Sequence, residues 1–377
     1  MRRRTLLSAL PSATLLSVSG ALDAKDSGKK AKNIILFLAD AGGIPTLNAA
    51  SALGYGAPQK LFVQSWSHIG LSDTSAAAQW VTDSAAGMTA IVTGQKTNNG
   101  VLSQAPDAER GKKDGTPLKT ILEYAEEKGL STGVITNVNV ADATPAACYS
   151  HVNNRASFAE IFAQIFKPRF GDGVDLVIGG GRKPIFDGFK AKGEDLDEIA
   201  KSKGRPIYSS LAELPAGTKR PIVVTEGAPD IPAAAMLAIK TLSANSKGYF
   251  LMVEWDAHTD NVEKGLNNVV AFDKLIREIS KTVNLNETLL LFTADHSFDL
   301  RMRGGLKSDP VLKGLSEWQS THTSKDPVDI PSMHVGHSHT GEEVLAAAMG
   351  PGSERVNGFF PNTHLFEVMM QAYGWKP

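Results

Sequence analysis

Five short apolar runs with amphipathic segments between them limit what this chain can fold into more than any other feature. Asn33 to Ala39 (NIILFLA), Gly133 to Val138 (GVITNV), Asp175 to Ile178 (DLVI), Tyr249 to Val253 (YFLMV) and Thr288 to Thr293 (TLLLFT) recur along its length. The first is continuously apolar, which suits a strand buried on both faces of a parallel sheet covered by helices. Between the runs, Pro117 to Lys128 sets Leu118, Ile121, Leu122 and Ala125 at helical spacing, opens on proline and stops at Gly129. Ala156 to Phe166, Pro232 to Leu242 and Val262 to Val283 read as further helices. Strand and helix in alternation predict a three-layer α/β/α sandwich around a large, mostly parallel central sheet. Ligands bind such sheets outside the carboxyl ends of the strands.

Those ends are where acids and an imidazole collect. Asp40 closes the first run, Glu254 follows YFLMV with Asp256 just beyond, Asp295 and His296 follow TLLLFTA, and Asp142 lies shortly after GVITNV. Any one of these, alone, reads as a solvated loop residue. Together they point to a polynuclear metal centre. Met333 to Gly341 (MHVGHSHTG) adds His334, His337 and His339 in what reads as a short loop before the strand-like Val344 to Met349, and one of the three is expected to join the metal. Trp80 to Gly94 (WVTDSAAGMTAIVTG) places Ser84 at the amino end of a helix, with Thr82 or Asp83 as its N-cap. Free N–H groups and the helix dipole favour an anion there, a good position for a phosphate-bearing nucleophile.

Composition narrows the partners. With 39 basic against 40 acidic residues, no field of one sign points to nucleic acid or to a membrane surface, so anion specificity must come from a local site. Residues 1–24 combine a cationic start, an apolar stretch and a small-residue exit, the layout of an export signal, too short and polar for a membrane anchor. Arg3 and Arg4 before Thr5-Leu6-Leu7 also give it the look of a weak twin-arginine signal, and the protein is expected to be periplasmic or secreted. The remainder, 25–377, reads as a single domain. Its sole cysteine, Cys148, excludes an intramolecular disulfide and reads as a small buried hydrophobe. Lys167 to Thr225 is expected to be a partly helical excursion over the sheet, and Ser308 to Met333 a second loop-rich segment.

Taken as a set, NIILFLADAGG, VTDSAAGMTAIVTG, ADATPAA with HVNNR after it, DLVIGGGRKPIF, FLMVE, FTADH and HTGEEVLAAAMGP resemble the bacterial alkaline phosphatases over nearly the whole chain after the export segment. The resemblance implies a phosphate monoester hydrolase that works through a phosphoserine at Ser84. It also implies that Asp40, Ser84, Asp295 and His296 hold the metal that activates the serine. Asp40, Asp142, Thr144 and Glu254 match a third site, for magnesium. His339 matches a ligand of the metal that carries the attacking water, and Arg155 the guanidinium that grips two phosphate oxygens. Two zinc ions, phosphate monoesters and inorganic phosphate come with the resemblance, which is also compatible with a homodimer.

The sequence departs from the family pattern after Glu254, where Trp255-Asp256-Ala257-His258-Thr259-Asp260 is a shortened segment. Either Asp256 and His258 coordinate from a tighter loop, or Asp256 and Asp260 do, with His258 behind them. A more oxygen-rich position would favour magnesium or manganese over zinc. Trp255 either walls the phosphate pocket or packs in the core. Two other functions compete with the monoesterase. One is a phosphodiesterase or arylsulfatase-like hydrolase of the same superfamily, although Ser84-Ala85-Ala86-Gly87-Met88 lacks the sulfatase context. The other is a non-catalytic phosphate- or metal-binding protein, which would need no nucleophile.

Overall fold

A computed structural model describes residues 28–376, so the export segment expected over 1–24 lies outside the described residues. In chain order the strands are β1 (Asn33–Asp40), β2 (His68–Asp73), β3 (Ser131–Asn139), β4 (Leu176–Gly180), β5 (Ile207–Tyr208), β6 (Ile222–Val224) and β7 (Tyr249–Asp256). They continue with β8 (Thr288–Thr293), β9 (Ser297–Met302), β10 (Val328–Ile330), β11 (Met333–Thr340), β12 (Val344–Met349) and β13 (Gly358–Pro361). Ten of them form one sheet in the order β13-β2-β12-β8-β1-β7-β3-β4-β6-β5, and β10-β11-β9 form a small antiparallel sheet. In the large sheet every neighbouring pair is parallel except the two that β12 makes with β2 and β8. The expected three-layer sandwich is the architecture observed.

The apolar runs explain why. Successive side chains of a strand point to opposite faces, and β1 divides accordingly. Ile34, Leu36 and Leu38 join the core beneath helices Ser84–Thr93, Ala143–Tyr149 and His364–Tyr373. Ile35, Phe37 and Ala39 join the core beneath helices Ile44–Tyr55 and Val262–Thr282. Ile34 through Leu38 are fully buried. With β7 on one side and β8 on the other, Asp40 is carried to the same edge as Asp256. Among the described residues no helix is long and apolar enough to cross a membrane.

Several segments differ from expectation. The helix expected from Pro117 begins at Ile121, because Thr120 and Glu123 form a reciprocal capping box that fixes its start. Ala156 to Phe166 is a short helix, Phe158–Ala163, ending in a 3-10 turn. The excursion from Lys167 to Thr225 supplies β5 and β6, which extend the sheet from β4 to its edge. The histidine segment is no loop: it is β11, paired with β9 and β10 and interrupted by a register shift between Val335 and His339. Gly336 permits that irregularity, since a Cβ there would come within 2.3 Å of Asp299 Oδ2. Cys148 is buried, as expected.

Candidate active site

Asp83 caps the helix Ser84–Thr93, its Oδ1 accepting from Ala86 N at 3.1 Å, which leaves Ser84 as the first helical residue. The helix sits close against the end of β8. Gly87 makes that approach possible, because a Cβ on it would lie 2.7 Å from Asp295 O. Ser84 Oγ is therefore brought to 3.4 Å from Asp40 Oδ1 and 3.2 Å from His296 Nε2. One residue past Asp40, Ala41 takes a left-handed φ of 64° and donates its N–H to Asp295 Oδ1 at 3.2 Å. A non-glycine residue held there is backbone strain at the site.

Asp40, Asp295 and His296 converge with ligand atoms within 4.8 Å of one another, and so do His258, His296 and His339. The ring protons are placed by what surrounds them. His296 Nδ1 donates to Ser297 O and His339 Nδ1 to Thr82 O, both at 3.0 Å. Carbonyl oxygens only accept, so each Nδ1 carries a proton and Nε2 is the nitrogen left to face a cation, the usual arrangement for a metal ligand. His258 Nδ1 lies 2.9 Å from Asp256 Oδ1 and 3.8 Å from Asp40 Oδ1. Asp142 caps the helix Ala143–Tyr149, with Thr144 in that helix's first turn and Glu254 on β7. Thr144 Oγ1, Glu254 Oε2 and Asp295 Oδ2 are buried with no hydrogen-bond partner among the described residues. Leaving such atoms unpaired costs about 1–3 kcal/mol each, more for charged groups. Divalent cations fit this donor set, since oxygen and imidazole ligands would then be satisfied.

Electrostatics says the same. Burial, then the charge of Asp40, pushes Asp295 up to about 6. Glu254 is raised well above its ordinary value, first by burial and then by Asp40, with Asp142 and Asp295 adding to it. Burial would raise Asp40 too, but His258 and His296 hold it well below the usual carboxylate range. For His258 burial is outweighed by Asp40 and Asp256, which carry it to about 9. His339, lowered first by its partial burial and then by the facing His296, falls to about 4. A cluster of acids that retain protons and an imidazole that gains one is short of positive charge, the deficit that bound cations remove.

Arg155 stands across the cavity, of about 300 Å³, that Ser84, Asp40, Asp142, Asp256, His258, Asp260 and His339 also line. Its NH1 reaches Asp83 Oδ2 at 3.2 Å and its NH2 reaches Asp142 Oδ1 at 2.9 Å. Burial opposes its charge, yet Asp142 and Asp83 reverse the shift and raise its pKa. Asp83 thus serves both as the N-cap expected from sequence and as a partner of the guanidinium, the second role signalled locally only by the Asp83-Ser84 pair. Asn137, whose Oδ1 accepts from Asp256 N at 2.8 Å, had no sequence signal at all.

Not every candidate converges. Asp260 belongs to neither three-ligand group; its half-exposed carboxylate is paired with His337 Nδ1 at 3.0 Å. His334 turns to Asp329, 3.9 Å away. Of the three histidines on β11 only His339 enters a metal group. Trp255 packs on Phe272 with ring centroids 5.7 Å apart and does not line the cavity.

This sheet, with acids and imidazoles at its carboxyl edge and a serine opening a helix beside them, is that of a phosphoric monoester hydrolase. The chain belongs to the alkaline phosphatase family, whose model matches residues 31–220 and 212–333. Streptomycin-6-phosphate phosphatase from Streptomyces griseus is 28% identical over 422 residues, 92% of this chain and 91% of that protein. The alkaline phosphatase of Escherichia coli strain K12 is 28% identical over 430 residues, covering 93% and 88%. Among solved structures, the alkaline phosphatase of the Antarctic bacterium TAB5 superposes with a TM-score of 0.74 at 25% identity, covering 93% of this chain and 99% of that one. The Thermus thermophilus alkaline phosphatase shares the fold, with a TM-score of 0.77 at 21% identity over 98% and 96%. A mutant of the TAB5 enzyme has Mg bound in its M3 site, and metal cofactors go with the family.

Proposed function

We propose that the chain hydrolyses phosphate monoesters through a covalent phosphoserine at Ser84, using two zinc ions, which magnesium or manganese can replace, and a third, magnesium, site. The observation that carries this reading is that Ser84 Oγ and the Arg155 guanidinium share one cavity beside two convergent ligand groups. Asp40, Asp295 and His296 would hold one cation, His258 and His339 with Asp256 another, and Asp142, Thr144 and Glu254 the third. Bound there, the cations would supply Lewis acidity, lowering the pKa of the serine hydroxyl and stabilising the leaving alkoxide.

This chain's own atoms do the rest. Ser84 Oγ attacks phosphorus in line, so that the Oγ–P bond forms as the bond from phosphorus to the alcohol oxygen breaks. Asp40 Oδ1, which has a lone pair beyond the one a cation would take, is the acceptor within reach of the serine proton, whereas His296 Nε2, 3.2 Å from Oγ, is committed to the cation. Arg155, fixed by Asp83 and Asp142, faces the phosphoryl oxygens with a permanent charge, and its planar fork suits two of them. N–H groups at the start of the helix meet the same charge. Water then cleaves the Oγ–P bond, releasing inorganic phosphate and returning a proton to Ser84. A diesterase has less use for a guanidinium held to meet a dianion, which favours the monoester. The family relative named for streptomycin 6-phosphate makes that compound a first substrate to try.

The test is hydrolysis of a chromogenic phosphate monoester at alkaline pH, before and after chelation, with metal content measured alongside. Turnover that chelation abolishes and divalent metal restores is expected. Ser84→Ala should reduce kcat by about three orders of magnitude or more with little change in melting temperature. Preference for the diester of the same alcohol, or metal and phosphate binding without turnover, would overturn the reading. We also propose that the protein is exported, on the composition of residues 1–24; retention of the full chain in the cytoplasm of a bacterial host would refute it.

A further inference from the structure

His258 and His339 come from segments far apart in the chain, one following β7 and the other on β11, and a metal position that needs both depends on their separation. Their ring centroids lie 5.6 Å apart. Ala257 and Thr259 are buried on either side of half-buried His258, so that segment opens to solvent only at Asp260, and β11 opens at His337 and Ser338. The β11 stretch loses its register with β9 between Val335 and His339, and Asp260 on the other segment is largely exposed. One polar tie joins them away from the ligands. His337, on the irregular stretch two residues before His339, directs Nδ1 to Asp260 Oδ1 at 3.0 Å and Nε2 to Asp326 O at 3.0 Å. Asp326 is itself fixed, because its Oδ2 accepts from Thr323 N at 2.7 Å and from Thr323 Oγ1 at 2.8 Å. A single imidazole thus joins three segments: the one bearing His258, the turn before β10, and the strand bearing His339.

We propose that Asp260 and His337 are positioning residues, a tie that holds the His258 segment against the His339 strand and so sets the affinity of the metal position those two histidines share. The inference rests on the metal centre proposed above. It also gives Asp260 a role as hydrogen-bond acceptor in place of the coordinating role weighed from sequence. An exposed ion pair between freely moving side chains contributes little. This one differs in that the imidazole is held from both sides, so the ordering is already complete before metal arrives.

The test uses the full chain, stripped of metal, with Zn²⁺ affinity read by competition against a chromophoric chelator. Asp260→Ala and His337→Ala are each expected to weaken the affected Zn²⁺ equivalent about tenfold, the low end for residues that support metal ligands. The double variant should lose no more than His337→Ala alone, since that substitution already removes the contact with Asp260. Asp260→Asn, whose amide oxygen accepts the same hydrogen bond, should recover most of the affinity. His334→Ala, on the same strand but facing Asp329, should bind as the unchanged protein does. Single variants with unchanged affinity, or losses that add in the double variant, would sink the tie. A whole equivalent lost in Asp260→Ala with His337→Ala unaffected would do so too, because Asp260 would then be a ligand. Metal uptake without monoester turnover breaks the proposed function and leaves this test standing, so the two failures are distinguishable.

Discussion

The ten-stranded sheet and the three-stranded sheet both deliver residues to one cavity, yet they hold them by different means. β1, β7 and β8 are sandwiched between two cores, so Asp40 and Asp256 end, and Asp295 closely follows, strands that cannot shift without disturbing packing on both faces. β9 and β11 are each buried over only part of their length: β9 ends exposed at Arg301 and Met302, the latter 42% exposed, and β11 is exposed at His337 and Ser338. His339 therefore owes its place to a register shift, a backbone contact with Thr82, the hydrogen bonds of its neighbours and its stacking on His296, with ring centroids 3.7 Å apart, and not to burial between two cores. Ligands on the large sheet are preorganised by the fold itself, whereas the ligand on the small sheet depends on local polar contacts.

That contrast can be broken directly by equal truncations in the two sheets. Phe37 lies in β1 with its ring 5.9 Å from that of Phe272, and Phe37→Ala should destabilise the protein by about 3–5 kcal/mol in urea unfolding. A loss under about 1 kcal/mol would mean that the large sheet is not the rigid partner. A smaller effect sharpens the distinction between buried acids held by cations and one held by a proton. Glu126, at the opposite edge, accepts a hydrogen bond from Thr132 Oγ1 and is pushed up to about 7 by burial, with Asp175 and Asp172 adding to it. Its folded pKa exceeds the ordinary 4.5, so between those values the folded state binds more protons than the unfolded one. Stability from this group is therefore lost as pH rises from about 4.5 to about 7. Glu126→Gln should stabilise by about 3 kcal/mol at pH 8 and not at all below pH 4.5, in thermal melts across pH. Stabilisation independent of pH would refute a buried proton. The smallest effect belongs to Met302→Ala on the open end of β9, expected to change stability by under about 0.5 kcal/mol.

Much of the site was legible because chemistry at a strand end is written beside the strand. Asp40, Glu254, Asp295 and His296 each adjoin an apolar run, and the small-residue stretch after Ser84 announces a helix that must approach closely. β2 and the small sheet were not legible in the same way. Ser297 to Met302 runs from buried to exposed without a regular alternation, and nothing local says which partner it will find. The same holds for Ile207–Tyr208 and Ile222–Val224, which are strands only because β4 offers an edge.

The sequence by itself determined the layered architecture and the inventory of acids, imidazoles, serine and arginine, because burial on both faces demands a continuous apolar run and helices demand their own period. Only the tertiary structure decided which of those groups meet. It joined Asp83 and Asp142 to Arg155, chose His339 among three histidines on one strand, and turned Asp260 away from the ligand groups toward His337. Those outcomes depend on register, on a strand irregularity and on hydrogen bonds between residues up to 257 positions apart, and local sequence carries no record of distances of that kind.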